Sequence, residues 1–221
     1  MNQEFENYRE EMIIDGPPWE KRDIAGFFGT LWLTITAMIR NPIQVFAVMR
    51  RTGEMNSALQ YSVLLQVLGT VISLAISMLV TGRSEIIPVW MYEFLGSDYN
   101  WGTIFIMSLP LMAILEQFFK PLFLNLAFGM IGQSQTSYST IFRITAYANG
   151  TAAVWMLIPG IGGLVYIGFN FYLMLVGFRT IYSTRNGQFL GAIILAVFLG
   201  FISLIALSLV STLLFAGAAP A

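Results

Sequence analysis

The chain has 221 residues, of which 57% are hydrophobic and 10% charged, with a formal net charge of −1 and a mean hydropathy of +0.72. Charge at that level lies far below the roughly 25% usual in soluble domains, and a near-neutral balance gives no reason to expect a nucleic-acid partner. The absence of cysteine and histidine excludes disulfides and thiol catalysis and removes the commonest metal ligand and general base.

Residues 1–23 read as a polar N-terminal tail. It starts with acidic residues (Glu4, Glu6, Glu10, Glu11) rather than the basic region of a cleaved signal peptide. The break Gly16-Pro17-Pro18-Trp19-Glu20 predicts an extended spacer that becomes ordered near Trp19. From Ile24 the apolar residues Phe27, Phe28, Leu31, Trp32, Ile35, Met38 and Ile39 recur at helical spacing. The opposite face carries Gly26, Gly29, Thr30, Thr34 and Thr36, and Arg40-Asn41-Pro42 ends the segment. That face is too polar for an ideal span, so residues 24–53 predict amphipathic helices lying at the membrane interface or against the bundle. A second short helix begins at Pro42, favourable at a first turn, and stops at Arg50-Arg51-Thr52-Gly53. Phe27, Phe28, Trp32, Arg50 and Arg51 are the expected contacts with membrane lipids, the arginines through anionic headgroups.

Five long apolar runs follow, at about residues 57–80, 103–128, 141–158, 164–181 and 189–215. Each has about the length needed to cross a bilayer. In the first, Gly69, Ser73 and Ser77 recur every four residues, a spacing that lets helix backbones approach closely and seats a partner helix. An aromatic loop with Trp90, Tyr92, Tyr99 and Trp101 precedes the second, at expected headgroup level. The third and fourth are joined by the tight turn Pro159-Gly160-Ile161-Gly162-Gly163. Lys21, Arg22, Arg40, Arg50, Arg51, Arg143, Arg179 and Arg185 gather on one side of this arrangement, against Arg83 on the other. That asymmetry places the N-terminus in the cytoplasm and the C-terminus outside, in a multi-pass protein of the cell membrane. The predicted fold is therefore an all-α, polytopic membrane helical bundle of five transmembrane helices plus N-terminal amphipathic interfacial helices, one membrane domain over residues 24–221.

Polar groups inside the runs are the candidate functional residues. Glu116 and Lys120, four apart, share one helical face, and Pro121 removes the donor that would meet the carbonyl of Gln117. Ionisable groups at that depth face protein or water rather than lipid. They form either a structural ion pair or part of the lining of a polar cavity. Asn125, Asn149 and Asn170 fall in the second, third and fourth runs and can bond across helices. Arg143 can snorkel to the surface or compete with Lys120 for Glu116. These groups are scattered, with no phosphate-binding glycine loop and no nucleophile beside Glu116. No catalytic residue, cofactor or metal is expected.

Two regions carry a family resemblance. One is Pro18-Trp19-Glu20, then the amphipathic helix, Asn41-Pro42, Met49, Gly53 and Ala58-Leu59-Gln60-Tyr61. The other is Phe142-Arg143-Ile144-Thr145-Ala146-Tyr147-Ala148, then Ile158-Pro159-Gly160-Ile161-Gly162-Gly163. In their order along the chain they resemble the Yip family of Ypt/Rab-interacting membrane proteins, in its prokaryotic branch. The resemblance implies a non-enzymatic integral membrane protein, a scaffold or organiser acting through lipid and helix–helix contacts. It also implies self-association or other membrane proteins as partners and, by family analogy, a small GTPase. The other reading of the same residues is a small transporter or channel with a polar midplane cavity around Glu116 and Lys120.

Overall fold

The computed structural model describes residues 16–49, 55–81, 101–132, 136–158 and 160–216. The described residues are helical throughout, without strands, in seven α-helices. These are α1 (Arg22–Arg40), α2 (Pro42–Val48), α3 (Met55–Thr81), α4 (Trp101–Met130), α5 (Tyr138–Ala153), α6 (Gly162–Tyr182) and α7 (Asn186–Ala216). One 3-10 turn, Pro18–Lys21, leads into α1, and another, Val154–Leu157, follows α5. Helices α3, α4, α6 and α7 are each long and apolar enough to cross a membrane. α4 runs through both of its prolines, Pro110 and Pro121, as one continuous helix. The aromatic loop before it, with Trp90, Tyr92 and Tyr99, lies outside the described residues, as do Arg50 and Arg51.

α5 is the hub. Every residue from Thr140 to Ala153 is buried, and α3, α4 and α6 all pack on it. A helix whose whole circumference is covered has no need of a single apolar face, which is why Thr145, Asn149 and Thr151 sit in it beside Ile144 and Tyr147. Close approach to α3 depends on two glycines. A Cβ on Gly150 would meet the Tyr61 ring at 2.7 Å, and one on Gly69 would meet the carbonyl oxygen of Ala153 at 2.7 Å. At Gly177 of α6 an added Cβ would touch Ile144 and Phe46, so α5 and α2 both press on that point.

The third predicted run, 141–158, is not one helix. α5 ends at Ala153 and tightens into the 3-10 turn, which Gly162 abuts: a Cβ there would lie 2.6 Å from the carbonyl oxygen of Trp155. At the other end of α5, the Ser137 amide N–H donates to the hydroxyl of Tyr182, the last residue of α6 (3.1 Å). The two ends of α6 therefore lie level with the two ends of α5 plus its turn.

α1 and α2 meet at an angle of 115° across Asn41, and Gly26, at φ 70°, bends the start of α1. The polar face of α1 is turned inward. Thr30 and Thr34 are fully buried, while Phe28 and Trp32 are 81% and 66% exposed. The threonines tolerate this because each hydroxyl donates to a carbonyl one turn back, Thr30 to Gly26 and Thr34 to Thr30, both at 2.8 Å. Such an inside-out arrangement suits an apolar surrounding.

Candidate functional site: two polar nodes and a lateral cavity

The first node joins the N-terminal segment to the hub. Arg143, on α5, is completely buried and forms a salt bridge with Glu20 through Nη2 and Oε1. The Tyr147 hydroxyl, one turn along α5, donates to the same Glu20 oxygen at 2.8 Å. Trp19 fixes the carboxylate's backbone: its amide N–H donates to Thr34 Oγ1 (2.7 Å) and its indole N–H to the Ser57 carbonyl (2.8 Å). Arg22 closes the outer side, 4.3 Å above the Trp19 ring and donating to Gln60 Oε1 at 2.6 Å. Tyr61 stands between Trp19 and Tyr147, with ring centroids 5.9 and 5.2 Å away, and shares a 2.8 Å hydroxyl–hydroxyl bond with Thr151. Arg143 thus neither snorkels nor pairs with Glu116, as the sequence had left open. A carboxylate delivered from the N-terminal segment lets the guanidinium stay inside a sealed core, where an ion must be paired and hydrogen-bonded to persist.

The second node is a triangle between α4 and α5. Lys120 Nζ donates to Asn149 Oδ1 at 2.7 Å, Asn149 Nδ2 donates to Glu116 Oε1 at 3.2 Å, and Lys120 Nζ lies 3.6 Å from that oxygen. Asn149, itself fully buried, acts as a strut that couples the expected i, i+4 pair to the hub. The side chains of Glu116 and Lys120 keep 43% and 25% exposure. They face a cavity of about 440 Å³ bounded by α4, α6 and α7. Its remaining wall is largely apolar and includes Phe123, Phe171, Met174 and Ala196, with Tyr166 and Asn170 as further polar groups. Ile167 and Val197, also on the wall, are 63% and 69% exposed, so the mouth opens on the lateral surface of the bundle.

The three predicted asparagines have three different fates. Asn149 is the strut. Asn125 accepts a 3.4 Å bond from Thr136 in the α4–α5 connection, so it does not bridge two spans through that bond. Asn170 lines the cavity at 7% exposure, and its Oδ1 has no hydrogen-bond partner. Gly69 packs against α5 of its own chain, Ser73 is half-buried, and the Ser77 side chain lies outside the described residues. Phe27, Phe28 and Trp32 are exposed.

Sequence reasoning missed the part played by Glu20, assigned to the tail, and by Gln117. Gln117 is fully buried beside the Glu116 pair, with neither side-chain polar atom bonded. The available signal for Glu20 was its place directly after Pro17-Pro18-Trp19 and before a helix whose threonines had no evident partner. No family model, curated protein or solved structure matches the chain.

Proposed function

We propose that this chain is a five-span, non-enzymatic organiser of the cell membrane, similar to the Yip family, with its N-terminus in the cytoplasm and its C-terminus outside. The observation that carries this reading is the α1–α2 element. It shows Phe28 and Trp32 to the surroundings, while Trp19, bonded to Thr34 of α1 and Ser57 of α3, and Glu20, paired with Arg143 of α5, tie it to the bundle. An amphipathic wedge acts on a lipid leaflet only if its displacement is resisted by something embedded more deeply, and the Glu20–Arg143 node supplies that resistance. The motif residues behind the family resemblance, Trp19, Glu20, Tyr61, Arg143 and Tyr147, converge on this one node, which supports treating their order as meaningful. α6 is long enough to span, and α5 with its turn matches it end to end, which supports five spans. Self-association would use the outer half of α3, where Leu79 is 85% exposed. A small-GTPase partner rests on the resemblance alone.

The test is reconstitution at increasing protein density in liposomes of inner-leaflet composition. The native chain is expected to reduce vesicle diameter or to concentrate in the smallest vesicles. A Phe28→Ser/Trp32→Ser variant that folds normally should lose the effect. Vesicle shape and partitioning indifferent to the native protein would end the organiser reading.

A conduit is the second reading, favoured by the Glu116–Lys120 pair facing a cavity rather than a sealed core. The uninterrupted α4 and the fully covered α5 weigh against it, because transporters expose backbone at broken helices. Solute flux in liposomes that changes with Glu116→Gln would establish it.

A further inference from the structure

The cavity between α4, α6 and α7 has the features of a ligand site, and its chemistry defines the ligand. Its volume of about 440 Å³ falls within the roughly 300–1,000 Å³ range of small-molecule pockets. That is room for one alkyl chain or one compact ring system, not for a whole two-tailed phospholipid. The mouth lies on the lateral surface between exposed Ile167 and Val197, so entry is from the bilayer.

The polar groups at the base are unevenly satisfied. Lys120 Nζ donates to Asn149 and lies 3.6 Å from Glu116 Oε1, so its ammonium keeps N–H donor capacity beside the cavity. Glu116 meets its partners through Oε1 and keeps a partly exposed carboxylate on the cavity side. Asn170 is 93% buried on the same wall, and its unbonded Oδ1 is sealed away from the cavity, so it offers a ligand no acceptor. The base of the cavity therefore offers one acceptor, the Glu116 carboxylate, beside donors from Lys120 and Tyr166. It is also electrically balanced, because Glu116 and Lys120 offset each other. A charged head of either sign would therefore leave a net charge in an apolar cleft.

We infer that this cleft binds an uncharged, hydroxyl-bearing apolar molecule taken from the bilayer, whose hydroxyl donates to the Glu116 carboxylate and accepts from Lys120 while its apolar body lies along Phe123, Phe171 and Ala196. The inference does not depend on the organiser reading, since a bound lipid alcohol is compatible with either an organiser or a conduit.

The experiment uses the full chain in nanodiscs and three diazirine photoprobes of matched length: a long-chain alcohol, the corresponding fatty acid and the corresponding alkane. The alcohol is expected to label residues of α4, α6 and α7 at least about fivefold more than the alkane, the discrimination one hydrogen bond provides. Glu116→Leu combined with Lys120→Leu should reduce alcohol labelling to the alkane level without abolishing the latter. Gly200→Phe should suppress labelling by all three. A Cβ at Gly200 would sit 3.7 Å from Phe123 in ordinary contact, so that substitution plugs the cleft without disturbing the backbone. Equal labelling by alcohol and alkane would reduce the cleft to a place where lipid tails rest. Preference for the acid would overturn the inference in favour of an anionic ligand held by Lys120. Absence of labelling, with α6–α7 cross-links between two chains, would assign the cleft to a second copy.

Discussion

Two buried side chains illustrate opposite uses of polarity. Arg143 is inside because Glu20, itself held by the Tyr147 hydroxyl, meets it there. Removing one partner of a buried ion pair typically costs about 3–5 kcal/mol, whereas replacing both with apolar groups of similar size is far milder. Glu20→Ala is therefore expected to destabilise the fold by about 3 kcal/mol. Glu20→Leu combined with Arg143→Met should recover more than half of that loss in denaturation by SDS titration. A double variant as unstable as the single one would mean that the node contributes shape rather than charge pairing. Gln117 is the contrary case, fully buried with both amide atoms unbonded. Replacing such a group with an apolar one of similar volume relieves a desolvation cost, so Gln117→Met should stabilise the protein by about 1 kcal/mol in the same titration. A loss of stability instead would show that the amide is satisfied in the membrane.

At the scale of the helices, the tightest seam is α3 against α5, and glycine makes it. At Gly150 a Cβ would lie 2.7 Å from Tyr61 and 3.1 Å from the Ser62 Cα, a backbone atom that cannot swing away. Gly150→Ala is expected to cost about 1–3 kcal/mol by overpacking. It should also weaken the Glu20 node, because Tyr61 is packed between Trp19 and Tyr147. Thermal denaturation of detergent-solubilised protein checks the first expectation, and protease sensitivity near Trp19 the second. The elements themselves were largely legible in the sequence, because unbroken apolar runs admit few structures other than helices. The Glu116–Lys120 pair was legible for a local reason, its i, i+4 spacing. The Arg143–Glu20 pair was not, since its members lie 123 residues apart and nothing in either segment names the other. The inward polar face of α1 was ambiguous as well. A threonine that bonds its own helix backbone looks in sequence like one that bonds water, and only the packing of Trp19 on Thr34 decides between them.

For the whole molecule, the proposed count of five crossings turns on α5. Its 16 residues rise only about 24 Å at 1.5 Å each, short of a hydrocarbon core of about 30 Å. The four-residue 3-10 turn after it adds about 8 Å, which brings the two together to about that thickness. α6 returns beside it and is itself long and apolar enough to span. Ser137 meets Tyr182 at one end, and Gly162 abuts Trp155 at the other. In the proposed five-span topology α5 therefore crosses alongside α6. In the proposed orientation the exposed arginines Arg40, Arg179 and Arg185 carry the charge bias, whereas buried Arg143 is paired within the protein. The absence of cysteine makes the prediction directly measurable. Single cysteines at Ser137, Ile161 and Asn186, all exposed positions, are to be probed in intact cells with a membrane-impermeant maleimide. Ile161→Cys should react in intact cells, while Ser137→Cys and Asn186→Cys should react only after permeabilisation. The reverse pattern would invert the orientation but keep the crossings. Equal behaviour at Ser137 and Ile161 would mean that α5 does not cross, leaving a bundle whose central helix is wrapped by the others without itself bridging the bilayer.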